Sequence, residues 1–281
     1  MSAGALADKV CVVAGASRGV GRGVARALGE AGATVVVTGR SIEAGPRTDG
    51  RSEVIEDTAR EVELAGGRGY PYQCDQTSER EVDALVQWIL RRFGRIDVAV
   101  SSVWGGNEGY DGERYADGSR FGTPFWRRPA AQFGRFMESG VYAALLLARA
   151  VAPPMVSARA GLIALVSFGT EDGYLGDLYY DLAKSSLNRL AFACAAELKP
   201  HGVAAVAVSP GFVRTERVRD AGLAEDATES PLYAGRAIAA LAADPDVMRH
   251  SGGTLFAADL ARAYGFTDDD GGQPARFDPP G

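Results

Sequence analysis

The sequence predicts an α/β fold, a doubly wound parallel sheet of about seven strands with helices on both faces. Three observations carry this. Short β-branched runs alternate with stretches of 3.6-residue periodicity along the 281 residues, which is the strand–helix alternation of a parallel sheet. The runs are apolar almost throughout, as strands covered on both faces must be. No linker, repeat or low-complexity segment divides the chain. A single domain over residues 1–281 is therefore expected, although this length alone would allow two.

The first run, KVCVVA (9–14), leads through AGASRGVGRG into the periodic GRGVARALGEAG. ATVVVT (33–38) is the second and ends in a Gly/Pro/polar loop, SIEAGPRTDGR (41–51). SEVIEDTAREVELAGG precedes GYPYQC (69–74), and SEREVDALVQWILRRFG precedes RIDVAVSS (95–102). A Gly- and aromatic-rich stretch, 103–128, follows the fourth run. GLIALVS (161–167), VAAVAVS (203–209) and GTLFAA (253–258) complete the seven, with a candidate lid at about 211–230 and a tail at about 259–281. The loops at 41–51 and 103–128 follow carboxyl ends of strands, where open α/β sheets bind ligands. The latter carries Trp104, Tyr110, Tyr115, Phe121, Phe125 and Trp126. These rings either line an apolar substrate pocket or pack the loop onto the domain or a neighbouring subunit.

Bulk properties exclude several function classes. A net charge of −6 lacks the basic face that nucleic acid requires. Cys11, Cys74 and Cys194 form neither a disulfide framework nor a CxxC site, and His201 and His250 have no ligand-spaced partners, so no metal site is expected. Cys11 and Cys194 sit in apolar runs and are expected in the core; His201 follows Lys-Pro at a helix end. MSAGALADKV lacks a basic region followed by an apolar core. GVYAALLLARAVAPPMV carries Arg149 and is shorter than the ~20 apolar residues of a spanning helix. A cytoplasmic location and no membrane partner are the expectation.

The turn after the first run places glycines at 15, 19 and 21 where a helix begins. Such a turn lets the backbone approach a pyrophosphate, whose charge the helix N-terminal amides stabilise. Gly15, Ser17, Arg18, Gly19, Val20 and Gly21 are the candidate contacts. At the end of the second run an acid would bind a ribose 2′-OH, but the chain reads Thr38-Gly39-Arg40-Ser41. Arg40, with Arg18 nearby, suits a 2′-phosphate through charge-assisted bonds, so NADP(H) is favoured over NAD(H).

In LYYDLAK, Tyr180 and Lys184 are four residues apart and share a helix face, whereas Tyr179 points elsewhere. A phenol near neutrality needs a positive charge beside it to act as acid or base, and Lys184 supplies one. Ser167, at the end of the fifth run, can donate to an oxygen on which charge develops. Ser167, Tyr180 and Lys184 together make a proton-transfer site for a carbonyl/alcohol pair.

The turn GASRGVG, Ser167, the Tyr180-xxx-Lys184 pair and Ser209-Pro210-Gly211-Phe212-Val213-Arg214-Thr215 are similar, in order and spacing, to the short-chain dehydrogenase/reductase family. FWRRPAAQF (125–133), ESP (229–231) and SGGTLFAADLARAYGFTDDDG (251–271) resemble its dehydrogenase/reductase member 1 branch. The resemblance implies a Rossmann fold and hydride transfer to a carbonyl carbon while Tyr180 protonates the oxygen. It implies that Lys184 lowers the tyrosine's pKa and binds the nicotinamide ribose, and that Ser167 orients the carbonyl. It places Asp75 at the adenine, Gln76 among the cofactor contacts, Ser101, Ser102 and Val103 beside the adenosine ribose, and Pro210, Gly211, Val213 and Thr215 at the carboxamide and pyrophosphate. Trp104, Phe168 and Phe212 fall on the substrate side, and a homodimer or homotetramer forms through helices at about 138–157 and 179–199. Three departures stand out: Ala14 replaces a threonine, Ser101-Ser102-Val103-Trp104 replaces Asn-Asn-Ala-Gly, and Gly140 replaces the asparagine of the proton relay.

The expected activity is NADP(H)-dependent hydride transfer to or from an apolar carbonyl or secondary alcohol. The alternative is a nucleotide-sensing protein without turnover, and a third reading keeps the enzyme but makes it a dehydratase or epimerase.

Overall fold

A computed structural model describes residues 4–169, 173–224 and 228–277. Residues 225–227 of the expected lid and 278–281 of the expected tail lie outside the described residues. Seven strands form one sheet: β1 (Val10–Ala14), β2 (Thr34–Gly39), β3 (Arg68–Gln73), β4 (Val98–Ser101), β5 (Gly161–Val166), β6 (Val203–Ser209) and β7 (Thr254–Phe256). Every pairing is parallel, in the order β3-β2-β1-β4-β5-β6-β7. Order reverses between β1 and β4, so the two halves diverge there and leave a crevice at the strands' carboxyl ends.

Burial follows position in the sheet. The central strands β1, β2 and β6 are buried at every residue. The edge strand β3 buries only Gly69 fully and tolerates Pro71, whose missing amide costs an edge little. The fourth strand is shorter than its apolar pattern predicts, because Asp97 is drawn into polar work. Its carboxylate accepts from the Val10 amide at 2.9 Å and from Arg95 Nε at 2.9 Å.

The helices are α1 (Gly19–Glu30), α2 (Ile55–Leu64), α3 (Glu79–Phe93), α4 (Ala130–Phe136), α5 (Ala143–Ala158), α6 (Leu178–Leu198), α7 (Glu216–Asp220), α8 (Pro231–Ala243) and α9 (Ala257–Tyr264). Capping sets several starts: Ser78, Asp177, Thr215 and Ser230 each accept from an amide of the first turn of α3, α6, α7 and α8. One apolar core, under α1, α2, α8 and α9, and a second, under α3, α5 and α6, cover the two sheet faces. Cys11 is fully buried, whereas Cys194 is only partly so, packed at the margin of the second core.

A π-helical stretch, Met137–Tyr142, joins α4 to α5 into one continuous helix, Ala130–Ala158. Its 29 residues include a window of mean hydropathy 1.5, so by length and composition it could cross a membrane, contrary to the expectation from the shorter apolar run. The helix lies against the sheet, with Ala144, Leu147, Val151 and Met155 in the second core, and a core helix meets the same measure.

The branch-like motifs ESP and TDDDG meet in space. Asp268 accepts from the Ser230 amide at 2.8 Å and from its hydroxyl, tying the C-terminal segment to the start of α8.

Candidate active site

A cleft of about 360 Å³ opens at the carboxyl ends of the strands on both sides of the β1/β4 reversal. Gly15 adopts φ +74, and a Cβ there would meet the Ser102 backbone at 2.8 Å, so the turn is closed to any side chain. A Cβ on Gly21 would strike the Gly15 carbonyl at 2.2 Å. Gly21 thus packs α1 against the turn and does not line the cleft; Ser101, inside β4, does not line it either. The other sequence-predicted cofactor positions do: Gly15, Ser17, Arg18, Gly19, Val20, Arg40, Asp75, Gln76, Ser102, Val103, Pro210, Gly211, Val213 and Thr215.

The residues fit a dinucleotide on two observations. The Gly19 amide, at the start of α1, already holds an anion, the Glu216 carboxylate at 2.8 Å. Gln76 donates to Thr38 Oγ1 at 3.4 Å while its buried Oε1 has no hydrogen-bond partner among the described residues, leaving an acceptor for an amino group. Arg40 is paired with Glu108, and Arg18 lies 3.9 Å from Glu53 with its Nη1 donating to the Thr48 carbonyl at 3.5 Å.

Ser167, Tyr180 and Lys184 line the opposite end of the same cleft, with Trp104, Phe168 and Phe212. The Ser167 hydroxyl donates to the Lys184 backbone carbonyl at 3.0 Å. Lys184 Nζ lies 5.6 Å from the centre of the Tyr180 ring, 4.2 Å from that of Trp104, and 3.5 Å from the Val166 carbonyl. Burial acts on both titratable groups in the same sense. It raises the Tyr180 phenol well above its ordinary value, with Tyr115 and Asp177 adding to the effect. It lowers the Lys184 ammonium from 10.5 to about 7. The sequence-based expectation that lysine charge depresses the phenol is not met in this geometry, where burial is the largest influence on both groups and favours their neutral forms. The Tyr180 phenol is thereby kept as an acid.

Trp104 fills the space at Gly140. A Cβ on Gly140 would lie 3.0 Å from the indole, whose ring also meets Phe136 at 5.2 Å and Tyr180 at 5.3 Å. Two of the three departures thus compensate each other: a large ring enters at one position where the facing residue has no side chain.

The aromatic stretch divides between the two roles. Of its six rings only Trp104 lines the cleft. Tyr115 is buried against Tyr110 and Phe136, Phe121 comes within 6.0 Å of Tyr180, and Phe125 and Trp126 face outward. Arg128, from the same segment, is buried and paired with Asp177, the residue that caps α6 and accepts from the Tyr180 amide at 3.0 Å. Three rings surround its guanidinium: Tyr115 at 4.8 Å, Tyr179 at 4.9 Å and Phe136 at 5.5 Å. Tyr179 therefore serves packing, its hydroxyl donating to the Arg128 carbonyl at 3.3 Å. Asp177 was within reach of a capping rule applied three residues before Tyr180; Arg128, Glu108 and Glu216 carry no local signal.

A family model described as enoyl-(acyl carrier protein) reductase matches residues 15–243. Dehydrogenase/reductase SDR family member 1 of Mus musculus is 36% identical, over 94% of this chain and 84% of the relative. The Homo sapiens protein of that name is 33% identical over the same shares. A crystal structure of a metagenomic short-chain oxidoreductase in complex with NADP superposes with a TM-score of 0.66 at 28% identity, over 90% of this chain and 96% of that one. A short-chain dehydrogenase structure from Mycobacterium thermoresistibile shares the fold, with a TM-score of 0.78 at 23% identity over 97% and 94% of the two chains. With its parallel Rossmann sheet, its glycine turn and its serine, tyrosine and lysine on one cleft, the chain belongs to the short-chain dehydrogenase/reductase family.

Proposed function

We propose that the protein is an NADP(H)-dependent oxidoreductase acting on a carbonyl or secondary alcohol of apolar character. The observation that carries this reading is that Ser167, Tyr180 and Lys184 share one cleft with the glycine turn and with Arg18 and Arg40. The nicotinamide cofactor supplies or accepts the hydride; the chain's own residues handle the proton and the orientation. Tyr180, held protonated by burial, gives its proton to the substrate oxygen. Ser167 turns its hydroxyl from the Lys184 carbonyl to that oxygen. Lys184 binds ribose hydroxyls and returns a proton to Tyr180. Because the Trp104 indole lies between Lys184 and Gly140, that proton reaches the lysine from the cleft and not through the helix at 137–142. Arg40 and Arg18 take the 2′-phosphate, a preference in keeping with the absence of an acid at the end of β2. Trp104, Phe168 and Phe212 contact the apolar part of the substrate.

The whole chain acts as one domain in this reading, in the cytoplasm, as a homodimer or homotetramer. Tyr142, Leu145, Leu182 and Phe192, exposed on the paired helices, support the assembly.

A nucleotide-sensing protein without turnover is the second reading, favoured by the pull of burial on Lys184 toward its neutral form. Parallel titration with NADPH and NADH, followed by a carbonyl and alcohol panel with the tighter nucleotide, separates the two. Tighter NADPH binding with oxidation of NADPH by an apolar ketone supports the enzyme; binding without turnover across the panel supports the sensor. Product analysis distinguishes reduction from dehydration or epimerisation.

A further inference from the structure

We infer that Glu216 and Glu108 are phosphate placeholders, carboxylates that hold the cleft's two anion positions and are displaced when a nucleotide binds. Glu216 stands at the pyrophosphate position and Glu108 at the 2′-phosphate position. The inference rests on the reading of the cleft as an NADP(H) site and adds two residues that set how tightly, and with what preference, it binds.

Both residues line the cleft, and they come from different segments. Glu216 is the first residue of α7, and its Oε2 accepts from the Gly19 amide at 2.8 Å. That amide opens α1 after a turn that admits no side chain at Gly15, so the donor has the geometry for a phosphate oxygen. A second seat for the displaced carboxylate exists, since its Oε1 is 3.9 Å from Arg22. Glu108, in the aromatic stretch, is paired with Arg40, the residue that stands where an acid would mark a ribose 2′-OH. Both partners of that pair are partly exposed, at 43% and 33%, and half-exposed ion pairs contribute little. A doubly charged phosphate displaces such a partner readily, whereas a neutral hydroxyl does not.

The two carboxylates are joined mechanically. Arg217, next to Glu216, reaches Asp49 at 2.7 Å and the carbonyls of Asn107 and Tyr110 at 2.8 and 3.1 Å. One guanidinium thus connects α7, the loop after β2 and the segment that carries Glu108.

The test is titration of the full chain with NADPH and NADH, followed by nucleotide fluorescence, for wild type, Glu216→Gln and Glu108→Gln. Glu216→Gln is expected to tighten both nucleotides roughly tenfold, the effect of removing one unit charge from beside a phosphate in a partly screened site. Glu108→Gln is expected to tighten NADPH roughly threefold, the worth of a half-exposed ion pair, and to leave NADH unchanged, because only NADPH brings a charge to Arg40. Added to Glu108→Gln, the change Arg40→Met removes the NADPH gain. High salt narrows every difference. If wild type binds NADPH and the glutamine variants bind it no tighter, or Glu108→Gln tightens both nucleotides equally, the placeholder inference is overturned while the cofactor reading stands. If neither nucleotide binds wild type or variants, the cofactor reading falls and the inference with it.

Discussion

The two ends of the cleft are built on opposite electrostatic plans. At the adenosine end every cation has a nearby acid and stays partly exposed: Arg40 with Glu108, Arg18 with Glu53, Arg22 with Glu61 and Glu216. At the nicotinamide end Lys184 is buried and Tyr180 half-buried among aromatic rings, and burial is the largest influence moving both toward neutrality. The difference teaches where each kind of specificity comes from. Exchangeable ion pairs let one charged ligand replace another at small cost. A dry site fixes the protonation state of its acid before any substrate arrives, and strengthens whatever charge then develops.

The buried end breaks most completely if the Arg128–Asp177 ion pair is cut. Asp177→Asn retains a capping side chain but leaves Arg128 charged and unpaired among Tyr115, Tyr179 and Phe136. Loss of a buried partner costs roughly 3–5 kcal/mol, so the thermal midpoint is expected to fall by about 10 °C. Glu79→Gln, cutting the exposed pair with Arg149, leaves the midpoint in place. Equal shifts for the two variants would erase the contrast between buried and exposed charge.

Protonation sharpens the comparison next. Lys184, lowered to about 7, is charged below that pH and neutral above it. Carbonyl reduction, which draws on its proton, is expected to slow about tenfold for each unit of pH above 7. NADPH affinity, set at the charged end, stays level across the same window. A rate profile flat through neutrality would show that the lysine is not dry.

The smallest effect comes from Glu229, buried beside the Gly211 backbone. Burial pushes it from 4.5 to about 7, the Gly211 backbone opposing and Asp268 adding to the rise. The folded chain therefore keeps this proton up to about pH 7, while the unfolded chain releases it near 4.5. The stability it contributes is full below about pH 4.5 and is lost as pH rises through about 7. Glu229→Gln, neutral throughout, should gain a few degrees of thermal midpoint at about pH 8 and nothing at about pH 4. A gain independent of pH would assign the effect to packing.

The sheet was legible in the sequence because its signals are local. Each of the seven apolar runs became a strand; the fourth shortened where Asp97 entered hydrogen bonds with Val10 and Arg95, and the seventh kept only Thr254–Phe256 because α9 begins at Ala257. The glycine turn and the Tyr180–Lys184 spacing were legible for the same reason. The pairs that finish the site were not, since Arg128–Asp177, Arg40–Glu108 and Gly19–Glu216 join residues 49, 68 and 197 positions apart. Periodicity and capping rules say nothing across such separations. The aromatic stretch stayed open because a ring lining a pocket and a ring filling a core have the same composition; only the fold sent Trp104 to the cleft and Tyr115 inward.

The central claim, that Tyr180 is the acid of a cofactor-linked carbonyl reduction, is tested most directly by turnover of Tyr180→Phe with NADPH and an accepted ketone. The account predicts a loss of roughly a thousandfold in kcat, the scale of a positioned general acid, with NADPH affinity unchanged. A variant that keeps kcat within about tenfold of wild type would contradict it.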